Sequence, residues 1–257
     1  MFYYPATPTR YPESAAALRS GRRVGRFVAA VFVAVLAAGC GSARAAGPHI
    51  ITLTLVRHAQ SAGNASGLID TSTPGPELTA KGWCQAALAA GQLSPNHYDG
   101  VYASSMIRTQ ETATPTAQAL GEPVNALPGL REIEAGQYEG QPESNAQAYL
   151  TVPLRWLQGD RSARIPGSVD GNEFDARFDD AVQHIYDRGE QNPVAFSHGG
   201  AIMLWVLMNV RNPDPSLLTG KPLPNIGHVV VTGNPSEGWT LTEWDADPPA
   251  LLTSSQW

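Results

Sequence analysis

Two apolar runs of similar design stand far apart in this chain of 257 residues. IITLTLV, residues 50–56, is continuous and rich in β-branched side chains, as is typical of a strand buried on both faces of a sheet. PVAFS, residues 193–197, is a second such run, and a histidine comes closely after each: His58 and His198. Ligands of open α/β sheets bind at the carboxyl ends of the strands. If the two strands are neighbours in a parallel sheet, both imidazoles lie in one pocket.

Helix-like and strand-like segments alternate along the rest of the chain. The periodicity predicts helices at residues 79–93, 106–120, 144–157, 172–187 and 201–210. It predicts further strands at residues 99–104, 228–233 and 240–244. The helix at 201–210 is apolar all round, so we expect it to be buried. The alternation favours an α/β layered fold with a largely parallel sheet.

The first forty residues have a different character. Arginines at positions 19, 22, 23 and 26 precede an apolar run at residues 27–39, which is shorter than the roughly 20 residues of a membrane-spanning helix. This pattern predicts a signal peptide. LAAGC, residues 36–40, resembles a bacterial lipobox, which predicts lipidation of Cys40 and anchoring on the outer face of the cytoplasmic membrane. Ala43-Arg44-Ala45 leaves ordinary cleavage and secretion open as the alternative.

This interpretation divides the chain into a signal peptide with lipobox at 1–40, a linker at 41–48, one domain at 49–245 and a frayed tail at 246–257. With Cys40 lipidated, Cys84 stands alone and no disulfide framework is possible. Ala80, Cys84, Ala87 and Leu88 share one face of the predicted helix at 79–93, so we expect Cys84 to be a small buried core residue.

The net charge of the chain argues against some classes of binding partner. The chain has 17 basic and 23 acidic residues. Residues 1–46 hold six arginines and one glutamate, which leaves 11 basic and 22 acidic residues, a net charge of −11, on the remainder. Such acidity argues against nucleic acid as a partner. No HxxxH, HxH or paired cysteine–histidine pattern indicates a metal site.

Five segments together resemble one known family. They are TLVRHAQSAGN at 54–64, ELTAKGWCQA at 77–86, VYASSMIRTQETA at 101–113, LREIEAGQYEG at 130–140 and FSHGGAI at 196–202. In this order and spacing they resemble the histidine phosphatase superfamily, the phosphoglycerate mutase-like proteins, over roughly residues 50–245. The resemblance implies a three-layer α/β/α sandwich with a mostly parallel central sheet, and catalysis without a cofactor. With the predicted signal peptide it indicates an exported lipoprotein form.

The resemblance implies catalytic roles for three residues. His58 matches the nucleophile that takes the phosphoryl group on a ring nitrogen, and His198 matches the second histidine of the pocket. A neutral imidazole is a nucleophile near pH 7. Glu132 matches the carboxyl group that acts as general acid and then as general base. Glu134 lies two residues further on, and position alone does not decide between the two glutamates.

Four more residues match positions that bind the phosphate. Arg57 and Arg108 match arginines whose planar forks suit phosphoryl oxygens. Asn64 matches an asparagine that fixes the pocket. Gly199 and the following glycine are expected to admit the substrate to the backbone at a helix N-terminus. A different branch of the superfamily has an aspartate at the position of Gly199, which places this chain in the branch that depends on the Glu132-type acid.

The expected reaction is hydrolysis of a small phosphate monoester. A phosphoglycerate mutase-type phosphotransferase and a catalytically weak surface-binding lipoprotein are the alternatives. Ala59 supports the second alternative, since the family usually has glycine there and the added methyl group could narrow the pocket. Outside the motifs, Arg155, Arg161 and Arg164 are expected to cap the pocket and contact an acidic substrate.

Overall fold

The computed structural model describes residues 48–249. The predicted signal peptide, Cys40 with its lipidation motif, most of the predicted linker and the last residues of the predicted tail lie outside this range. Between residues 48 and 249, no helix combines the length and apolar character that crossing a bilayer requires.

A six-stranded sheet forms the centre of the domain. Its strands are β1 Ile51–Arg57, β2 Gly100–Ala103, β3 Val124–Ala126, β4 Pro193–Ser197, β5 His228–Asn234 and β6 Gly238–Asp245. Their order across the sheet is β3-β2-β4-β1-β5-β6. The first four strands of this order pair in parallel, whereas β5 is antiparallel to β1 and β6 is antiparallel to β5. The sheet is therefore mostly parallel, as predicted, and the two strands that precede the histidines are neighbours.

Helices cover both faces of this sheet. They are α1 Ala62–Ser66, α2 Ala80–Leu93, α3 Ile107–Leu120, α4 Ala146–Leu157, α5 Gly171–Asp187, α6 Gly199–Asn209 and α7 Ser216–Gly220. Successive side chains of a strand point to opposite faces, so Leu55 packs in one core with α4, α5 and α6, and Val56 packs in the other with α2 and α3. The predicted three-layer α/β/α arrangement is confirmed.

Helix α6 is buried along nearly its whole length, as its sequence predicted. Eight of its 11 residues are buried. Trp205 on α6 stacks on Phe178 of α5 with ring centroids 5.0 Å apart, and its indole N–H donates to Asp179 Oδ1 at 2.7 Å. Aromatic pairs and a satisfied indole hold the helix firmly against its neighbours. The N-terminus of α6, which comes directly after β4, is thus fixed relative to the sheet.

The expected burial of Cys84 is wrong, since its side chain is exposed. Helix α2 packs instead through the face of its small residues Gly82, Ala86, Ala89 and Ala90 together with Leu93. In a helix with alanine on every side, apolar periodicity does not single out the buried face. The short elements α1, β3 and α7 had no counterpart in the predicted pattern.

Candidate active site

The ends of β1 and β4 bring the two motif histidines together. Arg57 and Ser197 are paired in the register of these parallel strands, and the His58 backbone N–H donates to the Ser197 carbonyl at 2.9 Å. The ring centroids of His58 and His198 are 5.1 Å apart, at an angle of 62°. The side chains are 4% and 0% exposed. One pocket at the carboxyl end of the sheet therefore holds both imidazoles.

The hydrogen bond of His58 fixes which ring nitrogen is free. Nδ1 lies 2.7 Å from the Ala59 carbonyl oxygen, and because a carbonyl can only accept, Nδ1 carries the hydrogen. The lone pair of the neutral ring is then on Nε2. Burial lowers the pKa of His58 well below 6.5, and the charges of Arg108 and Arg57 lower it further. His58 is consequently a neutral imidazole with a nucleophilic Nε2 at physiological pH.

His198 is held by a serine that the motif comparison did not single out. Its Nε2 lies 2.9 Å from Ser104 Oγ, which also accepts from the Met106 backbone N–H at 3.2 Å. Its Nδ1 has no protein partner in the described part of the chain. Burial, followed by the charge of Arg108, lowers the pKa of His198 well below 6.5. The serine belongs to the YASS segment that precedes α3, which was the available signal for it.

Two arginines, the half-buried Arg57 and the buried Arg108, lie beside the histidines. Arg57 donates from NH1 to the Leu223 carbonyl at 2.5 Å, and Arg108, which is 2% exposed, donates from NH2 to the Asp70 carbonyl at 3.2 Å. Arg57 Nε and Arg108 NH1 have no protein partner among the residues described. Burial lowers the pKa of both guanidinium groups, and Glu132 opposes this. Two cations with free N–H donors suit an anionic group between them.

Glycines at the start of α6 make room for side chains of the protein. A Cβ atom on Gly199 would lie 3.2 Å from Arg57 Nε, and one on Gly200 would lie 2.9 Å from Glu132 Oε1. The expectation that these glycines mainly admit the substrate to the backbone is therefore refined. Their absent side chains let Arg57 and Glu132 approach the helix N-terminus.

Glu132 sits on that N-terminus. Its Oε1 accepts from the backbone N–H groups of Ala201 at 2.8 Å and Ile133 at 2.9 Å, and its Oε2 accepts from Gly200 at 3.2 Å. The positive end of the helix dipole favours a carboxylate at this place. The carboxyl group lines the same cavity as His58.

Geometry separates the two glutamates that position alone left undecided. Glu134 forms ion pairs with Arg131 at 3.3 Å and Arg177 at 3.5 Å, and does not line the cavity. Arg177 also donates to the carbonyls of Gly129, Arg131 and Glu132 at 2.8 to 3.2 Å. It thereby fixes the backbone segment that presents Glu132.

Asn64 is tied to the site through a second asparagine. Its Oδ1 accepts from the Ser61 backbone N–H at 3.3 Å and from Asn225 Nδ2 at 3.2 Å. The same Asn225 amide donates to the His58 carbonyl at 2.9 Å. Asn225 therefore links the backbone of His58 to Asn64, and no motif pointed to it because it lies in an irregular segment before β5.

These side chains line a cavity of about 330 Å³. Arg57, His58, Asn64, Arg108, Glu132 and Gly199 all contribute to its surface, whereas His198 lies behind His58. The volume is at the small end of the roughly 300–1,000 Å³ that ligand pockets span. Within residues 48–249, no group of three or more His, Cys, Asp or Glu side chains is arranged to hold a metal ion.

Comparison with known families agrees with this geometry. The family described as histidine phosphatase superfamily (branch 1) matches residues 53–247. The chain belongs to this superfamily. The branch agrees with the prediction drawn from Gly199, where the other branch has an aspartate.

Individual relatives of this histidine phosphatase chain vary in how much of their length they share with it. PE-PGRS family protein PE_PGRS11 of Mycobacterium tuberculosis is 44% identical over 224 residues, which cover 80% of this chain but 38% of that protein. The chain thus spans well under half of this relative. A candidate phosphoserine phosphatase of Hydrogenobacter thermophilus is 30% identical over 178 residues, 69% of this chain and 83% of its own.

A solved structure shows the same fold. The mycobacterial glucosyl-3-phosphoglycerate phosphatase in complex with VO3 superimposes with a TM-score of 0.64 at 22% identity, covering 77% of this chain and all of that one.

In this histidine phosphatase, Ala59 does not narrow the pocket as expected. Its side chain is fully buried in the core shared with α2 and α3 and does not line the cavity. Its backbone N–H donates to Thr112 Oγ1 at 3.0 Å. The Ala59 methyl group, at the position where the family usually has glycine, therefore packs in this core and not in the cavity.

The three arginines expected to cap the pocket do not line it. Arg155 pairs with Asp160, Arg161 with Asp175, and Arg164 with Asp170 and Glu173. That expectation is wrong, because the carboxylates that pair with these arginines lie on α5 and in the loop before it, where the basic residues are neutralised.

Proposed function

We propose that this chain hydrolyses a small phosphate monoester through a phosphohistidine intermediate at His58. The observation that carries the proposal is the hydrogen bond from His58 Nδ1 to the Ala59 carbonyl, because it leaves the Nε2 lone pair available inside a cavity that holds two arginines. Membership of the histidine phosphatase superfamily supports the same reaction class.

In the first step, Nε2 of His58 attacks phosphorus, a nitrogen–phosphorus bond forms, and the ester oxygen–phosphorus bond breaks. The departing alkoxide takes a proton from the Glu132 carboxyl group. Arg57 and Arg108 offer their free N–H groups to the non-bridging oxygens, where negative charge concentrates as the phosphoryl group is transferred. His198 lies beside His58 and, as the neutral tautomer with its hydrogen on Nδ1, offers this N–H to the same oxygens while its Nε2 accepts from the Ser104 hydroxyl.

In the second step, water replaces the alcohol. The Glu132 carboxylate takes a proton from this water while its oxygen attacks phosphorus, and the nitrogen–phosphorus bond breaks to return neutral His58 and release phosphate. The backbone N–H groups of Ile133, Gly200 and Ala201 hold the Glu132 carboxyl group at the wall of the cavity that His58 also lines. No cofactor enters either step.

A mutase-type phosphotransferase has less support from the cavity. Such an enzyme binds a substrate that carries a carboxylate beside its phosphates, and the three arginines expected to contact such groups are paired elsewhere. The phosphatase reaction needs only the groups already assembled around His58.

The test is hydrolysis of 4-nitrophenyl phosphate by the purified full-length protein in the presence of a metal chelator. His58→Ala is expected to lower turnover on the order of 10³-fold or more, since removal of a nucleophile removes the covalent route. His184→Ala, a matched change at an exposed histidine of α5, is expected to retain wild-type turnover.

Mass spectrometry of the quenched reaction supplies the second readout, a phosphate adduct on His58. Wild-type turnover by His58→Ala would contradict the mechanism. A folded wild-type protein that binds phosphate with neither adduct nor turnover would favour the surface-binding alternative.

We further propose that the chain is exported and anchored by a lipid on Cys40, on the basis of the arginine-flanked apolar run and the LAAGC segment. Cys40→Ala is expected to move the protein from the membrane fraction of expressing cells to the soluble fraction. Cys84→Ala, which changes the exposed cysteine of α2, serves as the matched control. Membrane association that survives Cys40→Ala would overturn the anchor.

A further inference from the structure

The cationic side chains of the cavity are all at its inner end. Among the described residues that line it, only Arg57 and Arg108 are cationic, and both lower the pKa of His58 after burial has done so. Two positive charges balance one phosphate dianion. A second anionic group on the substrate would find no cationic partner there, and an unpaired charge is costly to remove from water.

A two-stranded ribbon forms the outer wall. Residues 67–71 run antiparallel to residues 139–143, with backbone hydrogen bonds of 2.8 Å from Ile69 to Gln141, from Gly140 to Ile69 and from Glu143 to Gly67. The Thr71 hydroxyl, which accepts from the Ala135 backbone N–H, also donates to Glu139 and ties the ribbon together. The ribbon and the start of α4 enclose the space that the alcohol part of an ester would occupy.

The charges on this outer wall are negative. Glu143 is exposed, lines the cavity, and forms no ion pair with any residue in the described range. Its charge reaches the inner end, since it raises the pKa of Arg57 against the stronger effect of burial. Asp70, at the end of the ribbon, lines the cavity closer to the inner end, since its carbonyl accepts from Arg108 NH2 at 3.2 Å, and its Oδ1 accepts from the Ser72 hydroxyl at 2.7 Å. Lys221 is exposed and adjacent to Pro222 but does not line the cavity.

The remaining outer surface is largely apolar. It is formed by Leu68, Ala146, Leu150, Met203 and Pro222. Apolar walls favour an apolar ligand by roughly 25 cal/mol for each Å² removed from water. The cavity therefore has an inner end whose two arginines balance one phosphate dianion, and an outer end that is apolar and acidic.

We infer that this cavity selects phosphate monoesters of uncharged, apolar alcohols, and that Glu143 rejects esters carrying a second anionic group. The inference rests on the proposed phosphatase function and adds to it the class of the leaving alcohol. Glu143 acts here as a specificity-determining residue, through its charge at the position where the alcohol leaves.

The experiment compares kcat/KM for phenyl phosphate, 2-naphthyl phosphate and 3-phosphoglycerate, using the full-length protein. The wild type is expected to favour the two aryl esters over 3-phosphoglycerate by roughly tenfold or more, in part because a phenolate leaves more readily than an alkoxide, so the change in this preference on substitution is the decisive readout. In Glu143→Gln the ratio of kcat/KM for 3-phosphoglycerate to that for phenyl phosphate should rise roughly three- to tenfold. The repulsion between Glu143 and the phosphate itself is common to both esters and cancels in this ratio.

Glu122→Gln is the matched control, because it removes the same charge at an exposed position after α3 that does not line the cavity, and it should leave the ratio unchanged. His58-dependent hydrolysis with an unchanged ratio in Glu143→Gln, or with a wild-type preference for 3-phosphoglycerate, would overturn this inference alone. Absence of turnover on all three esters would overturn the proposed function instead.

Discussion

The two ends of the cavity are built in different ways. The inner end is centred on two buried histidines that follow β1 and β4, and each is held by a hydrogen bond, His58 to the carbonyl of the adjacent Ala59 and His198 to Ser104 just after β2. The outer end is a backbone ribbon and the first turns of α4, with Glu143 exposed and unpaired among the described residues. Under the proposed mechanism, side chains at the edge of the sheet carry out the reaction, whereas the loops contact the alcohol of the ester.

This contrast predicts how substitutions divide between kinetic parameters. In the proposed mechanism the inner residues contact the transferring phosphoryl group, so their removal should lower kcat. The outer residues are proposed to contact only the alcohol, so their removal should change KM and selectivity between esters. An outer substitution that lowered kcat, or an inner one that changed only KM, would show that the two ends act as one unit.

Glu132→Gln should produce the largest effect. Turnover of an alkyl phosphate is expected to fall on the order of 10²- to 10⁴-fold, because an alkoxide needs a proton to leave. The fall should be much smaller for 4-nitrophenyl phosphate, whose leaving phenolate is stable without one. Glu134→Gln, at a glutamate that pairs with Arg131 and Arg177 outside the cavity, is the control. Steady-state kinetics with both esters test this prediction, and an equal loss of turnover on both esters would refute the general-acid role of Glu132.

The buried histidines should also make stability depend on pH. The unfolded chain binds a proton on each histidine near pH 6.5, whereas burial and the nearby arginines lower the pKa of folded His58 and His198 well below that. The unfolded state therefore binds more protons below pH 6.5, and the free energy of unfolding falls as the pH falls, by up to about 1.4 kcal/mol per pH unit for each histidine.

Urea unfolding at pH 7 and pH 5.5 measures this dependence. His198→Gln should reduce the difference between the two pH values by about half, and His184→Gln at an exposed position should leave it unchanged. A dependence that persisted in full without His198 would mean that this residue is protonated in the folded protein.

Much of the inner end could be predicted from the sequence. Its histidines come soon after two apolar strands, and adjacent parallel strands present their next residues at the same edge of a sheet, so the pattern alone indicates that His58 and His198 lie together. Asn225 could not be predicted as a supporting residue, because it reaches the site through an irregular segment whose path depends on packing. For Ser104 the YASS segment was a signal, but the pattern did not show that its hydroxyl would contact His198.

Predictions of side-chain position that rested on charge or on small-residue patterns were less reliable. Arg155, Arg161 and Arg164 were expected to cap the pocket, but each pairs with a carboxylate on α5 or in the loop before it, and such pairing cannot be read from composition. Cys84 was assigned to the buried face of α2, although that helix packs through glycine and alanine. In both cases each side chain had several possible neighbours close in the sequence, and the tertiary fold determines which of them it contacts.

Substitutions in the outer wall should have the smallest effect on the kinetic parameters, and they test the contrast between the two ends most directly. Leu150 on α4 lines the cavity, so Leu150→Ala is expected to raise KM for 2-naphthyl phosphate roughly two- to fivefold, as part of an apolar contact is lost, with kcat nearly unchanged. Leu154, one helical turn further along α4, is likewise half-buried but does not line the cavity, and Leu154→Ala should leave KM unchanged. A fall in kcat with Leu150→Ala at constant KM would mean that the outer wall also positions the reacting groups, and the separation of the two ends would no longer hold.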